Sequence, residues 1–122
     1  MSKKILCFDL DNVICNTKNN NYENSKPNLS VIKLINRLYK SKNYLIKIYT
    51  ARGMGIYNGN LKLVKKKLYK LTKNQLKLWK VNYHEFVMGK ISYDIFVDDK
   101  AFGYKKNWYK LFEKKYLLKK LK

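Results

Sequence analysis

Histidine occurs once in these 122 residues, at His84, and cysteine twice, at Cys7 and Cys15. One imidazole excludes histidine-cluster zinc sites and His-Glu-x-x-His enzymes, and makes any Ser-His or Cys-His pair depend on His84. Two cysteines are too few for a disulfide framework. With no secretory pattern before them they read as reduced thiols, and a cytoplasmic location is expected. Arginine is confined to Arg37 and Arg52, so neither cysteine is followed by the Arg that a Cys-based phosphatase loop requires. Gly53, Gly55 and Gly59 fit neither the phosphate-loop spacing nor the dinucleotide fingerprint. The apolar runs break after a few residues, which leaves no membrane span. At this length one domain, 1–122, is expected, without room for a separate substrate-binding domain.

Acidic residues are also scarce, at 8 against 28 basic ones, for a net charge of +20. Such an excess is the footprint of a polyanion-binding protein, and a nucleic-acid partner engaged through the basic surface is one expectation. Against it, all but two of the basic residues are Lys, whereas bidentate phosphate and base recognition favours the Arg fork. The Lys excess also accompanies 11 Tyr and many Asn and Ile, residues with A- and T-rich codons. Biased base composition explains the charge equally well.

What is present is placed with economy. Of five Asp, four fall in two groups, Asp9-Leu10-Asp11 and Asp98-Asp99. Each follows a short apolar run, Ile5 to Phe8 and Ile95 to Val97, as expected of strands buried in a parallel sheet. A polar stretch, Asn16 to Asn28, contains the only proline, Pro27, at the expected start of a helix. Helical periodicity runs from Leu29 to Tyr39, and Tyr44 to Tyr49 reads as a strand ending at Thr50. A Gly-rich loop, Ala51 to Asn60, leads to a helical region from Leu61 to about Val81. Thr72 with Gln75 makes a capping-box signal inside it, so two pieces are expected. Glu85 to Met88 is a third strand turning at Gly89-Lys90, Tyr93 to Val97 a fourth, and about 105–121 a closing helix with Trp108, Leu111, Phe112, Lys115 and Leu118 on one face.

This order predicts an α/β fold, a single Rossmann-like domain with a mostly parallel central sheet and helices on both faces. Ligands of such sheets bind beyond the carboxyl ends of the strands, where Asp9, Asp11, Thr50, Lys90, Asp98 and Asp99 all fall. Carboxylates gathered there repel unless a cation neutralises them, and hard oxygen donors without imidazole or thiolate suit magnesium. One Asp can attack phosphorus, a second can move the proton, a hydroxyl and an ammonium can hold phosphate oxygens. The parts are those of phosphoryl transfer.

In order and spacing, Phe8-Asp9-Leu10-Asp11-Asn12-Val13, Thr50, Lys90 and Asp98-Asp99 resemble the four motifs of the haloacid dehalogenase superfamily, over about residues 3 to 101. Tyr49-Thr50-Ala51-Arg52-Gly53-Met54, Tyr57-Asn58-Gly59-Asn60, Tyr83-His84-Glu85, Met88-Gly89-Lys90 and Phe96 to Ala101 look like its small capsule-biosynthesis phosphatase subgroup. The resemblance implies a Mg2+-dependent phosphomonoester hydrolase working through an aspartyl phosphate, with a sugar phosphate of polysaccharide biosynthesis as substrate. It makes Asp9 the nucleophile and Asp11 the acid/base. Thr50 and Lys90 would hold the phosphoryl group, with Ala51 beside them at the substrate, and Asp9, Asp11, Asp98 and Asp99 would bind the metal. Arg52 stands out because Arg is so rare here: it contacts the substrate's phosphate or a distal acid, or else makes a loop salt bridge. Asn12 stands where the family has Gly, at a position that Asn tolerates in left-handed geometry. Only about 15 residues, 12–26, are left for a flap and none for a cap domain, so a capless enzyme with an open mouth is expected. Such a mouth admits terminal phosphates on chains unless a neighbouring subunit of a homo-oligomer supplies the lid. Two alternatives stand beside this reading: a nucleic-acid end phosphatase, and a haloacid dehalogenase fold kept as a non-catalytic binding module.

Overall fold

The computed structural model describes residues 3–117. The chain forms two compact units, Met1–Ser92 and Tyr93–Lys122. In the first, strands β1 (Lys4–Phe8), β4 (Tyr44–Thr50) and β5 (Glu85–Met88) make a parallel sheet in the order β1-β4-β5. Leu6 lies opposite Ile46, Phe8 opposite Ile48, Ile48 opposite Phe86 and Thr50 opposite Met88. The pleat sends those residues to one side, where Tyr44, Ile46, Ile48 and Thr50 are buried, and sends Ile5, Cys7, Lys47, Tyr49 and Val87 to the other.

Helix α1 (Leu29–Lys40) connects β1 to β4, and α2 (Leu61–Leu78) connects β4 to β5. Two right-handed crossovers that step the same way along a sheet put both helices on the same face. Val31, Ile32, Leu34, Ile35 and Leu38 of α1 and Val64, Leu68 and Leu76 of α2 are buried there, and Val64 and Leu68 cluster with Met54 and Met88. Within this unit, then, one face of the sheet carries both helices. On the open face Ile5 is 57% exposed, and Lys47 pairs with Glu85 across the strands at 3.3 Å.

Three local expectations also change. Pro27 does not start α1. It lies in a two-residue strand, β3 (Lys26–Pro27), antiparallel to β2 (Cys15–Asn16), and Asn28 caps the helix by accepting from the Val31 N–H. The helical region from Leu61 is one helix, not two, because Thr72 and Gln75 are buried in mid-helix and bonded elsewhere. Tyr93 to Val97 forms no strand. The rings of Tyr93 and Phe96 stack at 4.9 Å, a contact an extended segment could not make between residues three apart, and Ile95 and Val97 are exposed. Strand propensity is realised only through a partner.

In the second unit, helix α3 is Trp108–Tyr116, shorter than the expected 105–121. Residues 118–121, Leu118 included, lie outside the described residues. Trp108 and Phe112 are buried among Phe102 and Tyr116, whereas Leu111, expected on the same face, is exposed.

The chain leaves β1 through a tight turn in which the Leu10 carbonyl accepts from the N–H groups of Val13, Ile14 and Cys15. Asn12 sits in it at φ +67°, and its side chain accepts from Thr17 N at 3.4 Å. That geometry explains why Asn serves here, since a branched side chain there is strained by about 1–2 kcal/mol. We expect Asn12→Val to lower the unfolding free energy by about that amount and Asn12→Gly to change it by less than about 0.5 kcal/mol, as measured by urea unfolding. Equal losses in both would show that the side-chain bond, not the backbone, decides the position.

Candidate active site

The carboxyl ends of the three parallel strands carry the predicted residues of this unit. Asp9 directly follows β1, Thr50 ends β4, and Lys90 stands two residues past β5. The Thr50 carbonyl accepts from both Gly89 N, at 3.2 Å, and Lys90 N, at 3.1 Å. Gly89 makes the turn at φ +100°, where an added Cβ would also lie 3.0 Å from Leu61 Cδ1. The Gly-Lys pair thus needs its glycine for backbone reasons, and the turn aims Lys90 across the sheet. Its Nζ lies 3.5 Å from Asp9 Oδ2, while Asp9 Oδ1 accepts from Leu10 N at 2.7 Å.

Burial pushes the Asp9 carboxyl above its ordinary range, opposed first by the Lys90 charge and by the Leu10 N–H, and reinforced slightly by Asp11. Thr50 is buried, and its hydroxyl oxygen accepts from Arg52 N at 3.0 Å.

Of the two readings of Arg52, substrate contact or salt bridge, the structure shows a salt bridge, and a buried one. Arg52 is 2% exposed, and its guanidinium forks onto Asp11, with Nε to Oδ2 at 3.1 Å and Nη2 to Oδ1 at 2.8 Å. Nη1 donates to Gln75 Oε1 at 2.5 Å and to Thr72 Oγ1 at 3.2 Å, both on α2, and Nη2 also reaches Ser25 Oγ at 3.2 Å. The face of the guanidinium lies 4.7 Å from the ring centroid of Tyr22. A buried charge needs this degree of pairing.

The segment expected as a loose flap, 12–26, is tied to that centre. The Tyr22 carbonyl accepts from Gln75 Nε2 at 2.6 Å, its hydroxyl oxygen accepts from Gly53 N at 3.0 Å, and Thr17 Oγ1 donates to Asp11 Oδ1 at 2.6 Å. Cys15 lies beside the same carboxylate, and burial, then Asp11, pushes its thiol up to about 11. It is a weak donor, 3.6 Å from the Leu10 carbonyl, and not a nucleophile. His84 is also occupied: its Nδ1 accepts from Ile46 N at 2.9 Å, its main-chain N–H donates to the Ile46 carbonyl, and its ring stacks on Tyr39.

The first unit therefore brings together Asp9, Asp11, Thr50, Ala51, Arg52 and Lys90. Asp98 and Asp99 belong to the second unit, where Asp98 is exposed and accepts from Lys100 N at 2.9 Å, which holds its carboxyl below the ordinary range. Among the described residues no three His, Cys, Asp or Glu side chains cluster in a way that could hold a metal ion. The donors around Asp9 are nonetheless hard oxygens without imidazole or thiolate, and magnesium accepts as few as one or two carboxylates. That donor set fits magnesium.

The residues that sequence reasoning passed over are Thr17, Tyr22, Ser25, Thr72 and Gln75, all partners of Asp11, Arg52 or each other. Thr72 and Gln75 did carry a signal. Three residues apart, they interrupt the apolar stripe of Val64, Leu68 and Leu76, and a polar pair in such a stripe needs a buried partner.

No protein-family model and no curated protein matches the chain. Among solved structures it is similar to the crystal structure of an MCSG target from Vibrio cholerae, with a TM-score of 0.73 and 29% identity over 92% of this chain and 98% of that one. It is also similar in fold to chains in a structure of the Pnkp1/Rnl/Hen1 RNA repair complex, TM-score 0.50 and 14% identity, and in one of the Pnkp1/Rnl/Hen1 complex, 0.52 and 16%. The match covers 94% of this chain in both, but spans only 32% and 34% of those chains. At that identity the likeness is one of fold. No helix among the described residues is long and apolar enough to cross a membrane.

The raised Asp9 carboxyl has a consequence for stability. Well below 3.8, its ordinary value, folded and unfolded chains are both protonated and Asp9 costs nothing; above it the unfolded chain ionises first, so stability falls until the folded carboxyl ionises too. In chelator, the urea midpoint of Asp9→Asn should gain on that of wild type as pH rises from about 3 and then level off. A constant difference at every pH would contradict it.

Proposed function

We propose that this protein is a magnesium-dependent phosphomonoester hydrolase that works through an aspartyl phosphate on Asp9. The observation that carries the reading is the pair at the ends of β1 and β5: a carboxylate with one oxygen fixed by Leu10 N–H and the other 3.5 Å from the Lys90 ammonium. A side chain more than one-third exposed can be reached by substrate, and that of Asp9 is 38% exposed.

In the first half-reaction an Asp9 oxygen attacks phosphorus, and the P–O bond to the leaving group breaks with its electron pair going to that oxygen. Lys90 and the Thr50 hydroxyl offset the charge on the phosphoryl oxygens. In the second, water attacks phosphorus, the bond to Asp9 breaks and returns its pair to the carboxylate, and Asp11 takes the proton from water. Asp11 gives that proton to the leaving oxygen in the next turnover. The Asp9 carboxylate and the Asp11 main-chain carbonyl would hold magnesium, which supplies neutralisation of phosphoryl charge. Purified protein should hydrolyse an aryl phosphate only with magnesium, and Asp9→Asn should abolish turnover while keeping the circular dichroism spectrum of wild type. Undiminished activity of Asp9→Asn, or activity in excess chelator, would falsify the proposal.

A second reading narrows the substrate to the phosphorylated end of a nucleic acid. It is supported by the net charge of +20 and by the fold shared with chains of an RNA repair complex. It predicts that oligonucleotides with terminal phosphates are hydrolysed in preference to sugar phosphates, with binding that weakens steeply as salt rises. Binding indifferent to salt eliminates it.

A further inference from the structure

The reaction above uses Asp9, Asp11, Thr50 and Lys90 but leaves unexplained two buried polar side chains on a helix that otherwise contributes core. Thr72 is fully buried and Gln75 is 8% exposed, one turn apart on α2. Their side-chain oxygens converge on one atom, Arg52 Nη1, at 3.2 and 2.5 Å. The opposite edge of the same planar group, Nε and Nη2, forks onto both oxygens of Asp11. A guanidinium is rigid, so fixing Nη1 fixes the plane and rotation of the fork, and the fork fixes the Asp11 carboxylate. Thr17 Oγ1 adds a third donor to Asp11 Oδ1. α2 thus reaches the second Asp of the site through one side chain.

We infer that Gln75, assisted by Thr72, is a positioning residue that acts through Arg52 on Asp11 and matters most where Asp11 takes the proton from water. The inference rests on the phosphatase reading. With an aryl phosphate the leaving phenolate needs no proton, so formation of the aspartyl phosphate does not call on Asp11. Its breakdown does, because the attacking water must lose a proton to Asp11 as its oxygen bonds to phosphorus and the Asp9–phosphorus bond gives its pair back to the carboxylate; with a phenolate leaving group Asp11 then releases that proton to solvent. A carboxylate turned out of line slows the second half-reaction and spares the first. Gln75 has a second bond, from Nε2 to the Tyr22 carbonyl, that anchors segment 12–26. Gln75→Met removes both bonds, whereas Gln75→Glu keeps an acceptor for Arg52 and loses only the donor to Tyr22.

The test is aryl phosphate kinetics on the whole chain with magnesium, together with acid quenching to trap phosphoryl groups on the protein. For Gln75→Met, kcat and KM should fall together by about 10- to 100-fold with kcat/KM within about twofold of wild type, and labelled phosphate should accumulate on the protein toward one equivalent. Gln75→Glu should restore turnover. Thr72→Val, nearly isosteric, should show the same signature at smaller amplitude, and carries the test if Gln75→Met does not fold. A loss confined to kcat/KM, a fall in kcat without trapped phosphate, or wild-type kinetics in both variants would overturn the inference while leaving the phosphatase intact. A wild-type protein that neither turns over nor traps phosphate removes the phosphatase reading and this inference with it.

Discussion

The buried guanidinium of Arg52 is the constraint on which most of the first unit depends. At 2% exposure its charge cannot be solvated by water, so each N–H edge must find a partner inside the protein. The oxygen partners come from three places in the chain: Asp11 after β1, Ser25 before β3, and Thr72 and Gln75 on α2. Segments up to 53 residues apart are held by one side chain and its immediate neighbours, since Gln75 also donates to Tyr22. Removing either carboxylate or guanidinium would strand the other, an arrangement that is sensitive to either partner and therefore specific.

The same centre explains why the segment after β1 is not a lid. A lid must exchange between open and closed positions at small cost, through hinges that few contacts hold. Here Tyr22 makes a bond through its carbonyl, another through its hydroxyl and a contact through its ring, all to Gln75, Gly53 and Arg52. Segment 12–26 is closer to a wall than to a gate. On the proposed reading, selectivity for a substrate would then fall to the rim between Asp9 and Lys90, where the Thr50 carbonyl, by accepting two N–H groups, ties the β4 end to the turn that carries Lys90.

Much of this was legible in the residues. The three parallel strands and the two helices between them follow from apolar runs and periodicity, and their ends agree within a residue or so, because caps and turns are local, except at the end of α2, which stops at Leu78 where the periodicity ran to about Val81. Asp9, Thr50 and Lys90 were legible for the same reason: strand ends locate them. The fourth strand was not, because Tyr93 to Val97 has strand composition but a strand exists only through its ladder, and a ladder is a non-local fact. That the two helices of the first unit share a face was hidden likewise in the strand order. Arg52 was singled out by rarity, yet whether a rare Arg faces solvent or core depends on acceptors 20 and 23 residues further along the chain. The Thr72 and Gln75 pair was read as a cap because a capping box and a buried polar pair share the same spacing.

The net charge looks different once the acids are located. Of the eight acidic residues, Asp9 and Asp11 each face a cation, Lys90 or Arg52, and Glu85 faces Lys47. Two of those pairs lie where substrate phosphate is proposed to arrive, and there the balance is close to neutral, although the molecule carries +20. A distant field and a local balance do different things. The field draws anions toward the surface without discriminating among them and weakens with salt over roughly 10 Å. The local pairs decide what happens on arrival: an incoming phosphate competes with Asp9 for Lys90 but cannot reach Arg52 without displacing Asp11 from a buried fork. The two cations beside the carboxylates are therefore unequal: the Lys90 side chain is 15% exposed and faces an Asp9 side chain that is 38% exposed, so it can exchange partners, whereas Arg52 is buried and committed to holding one.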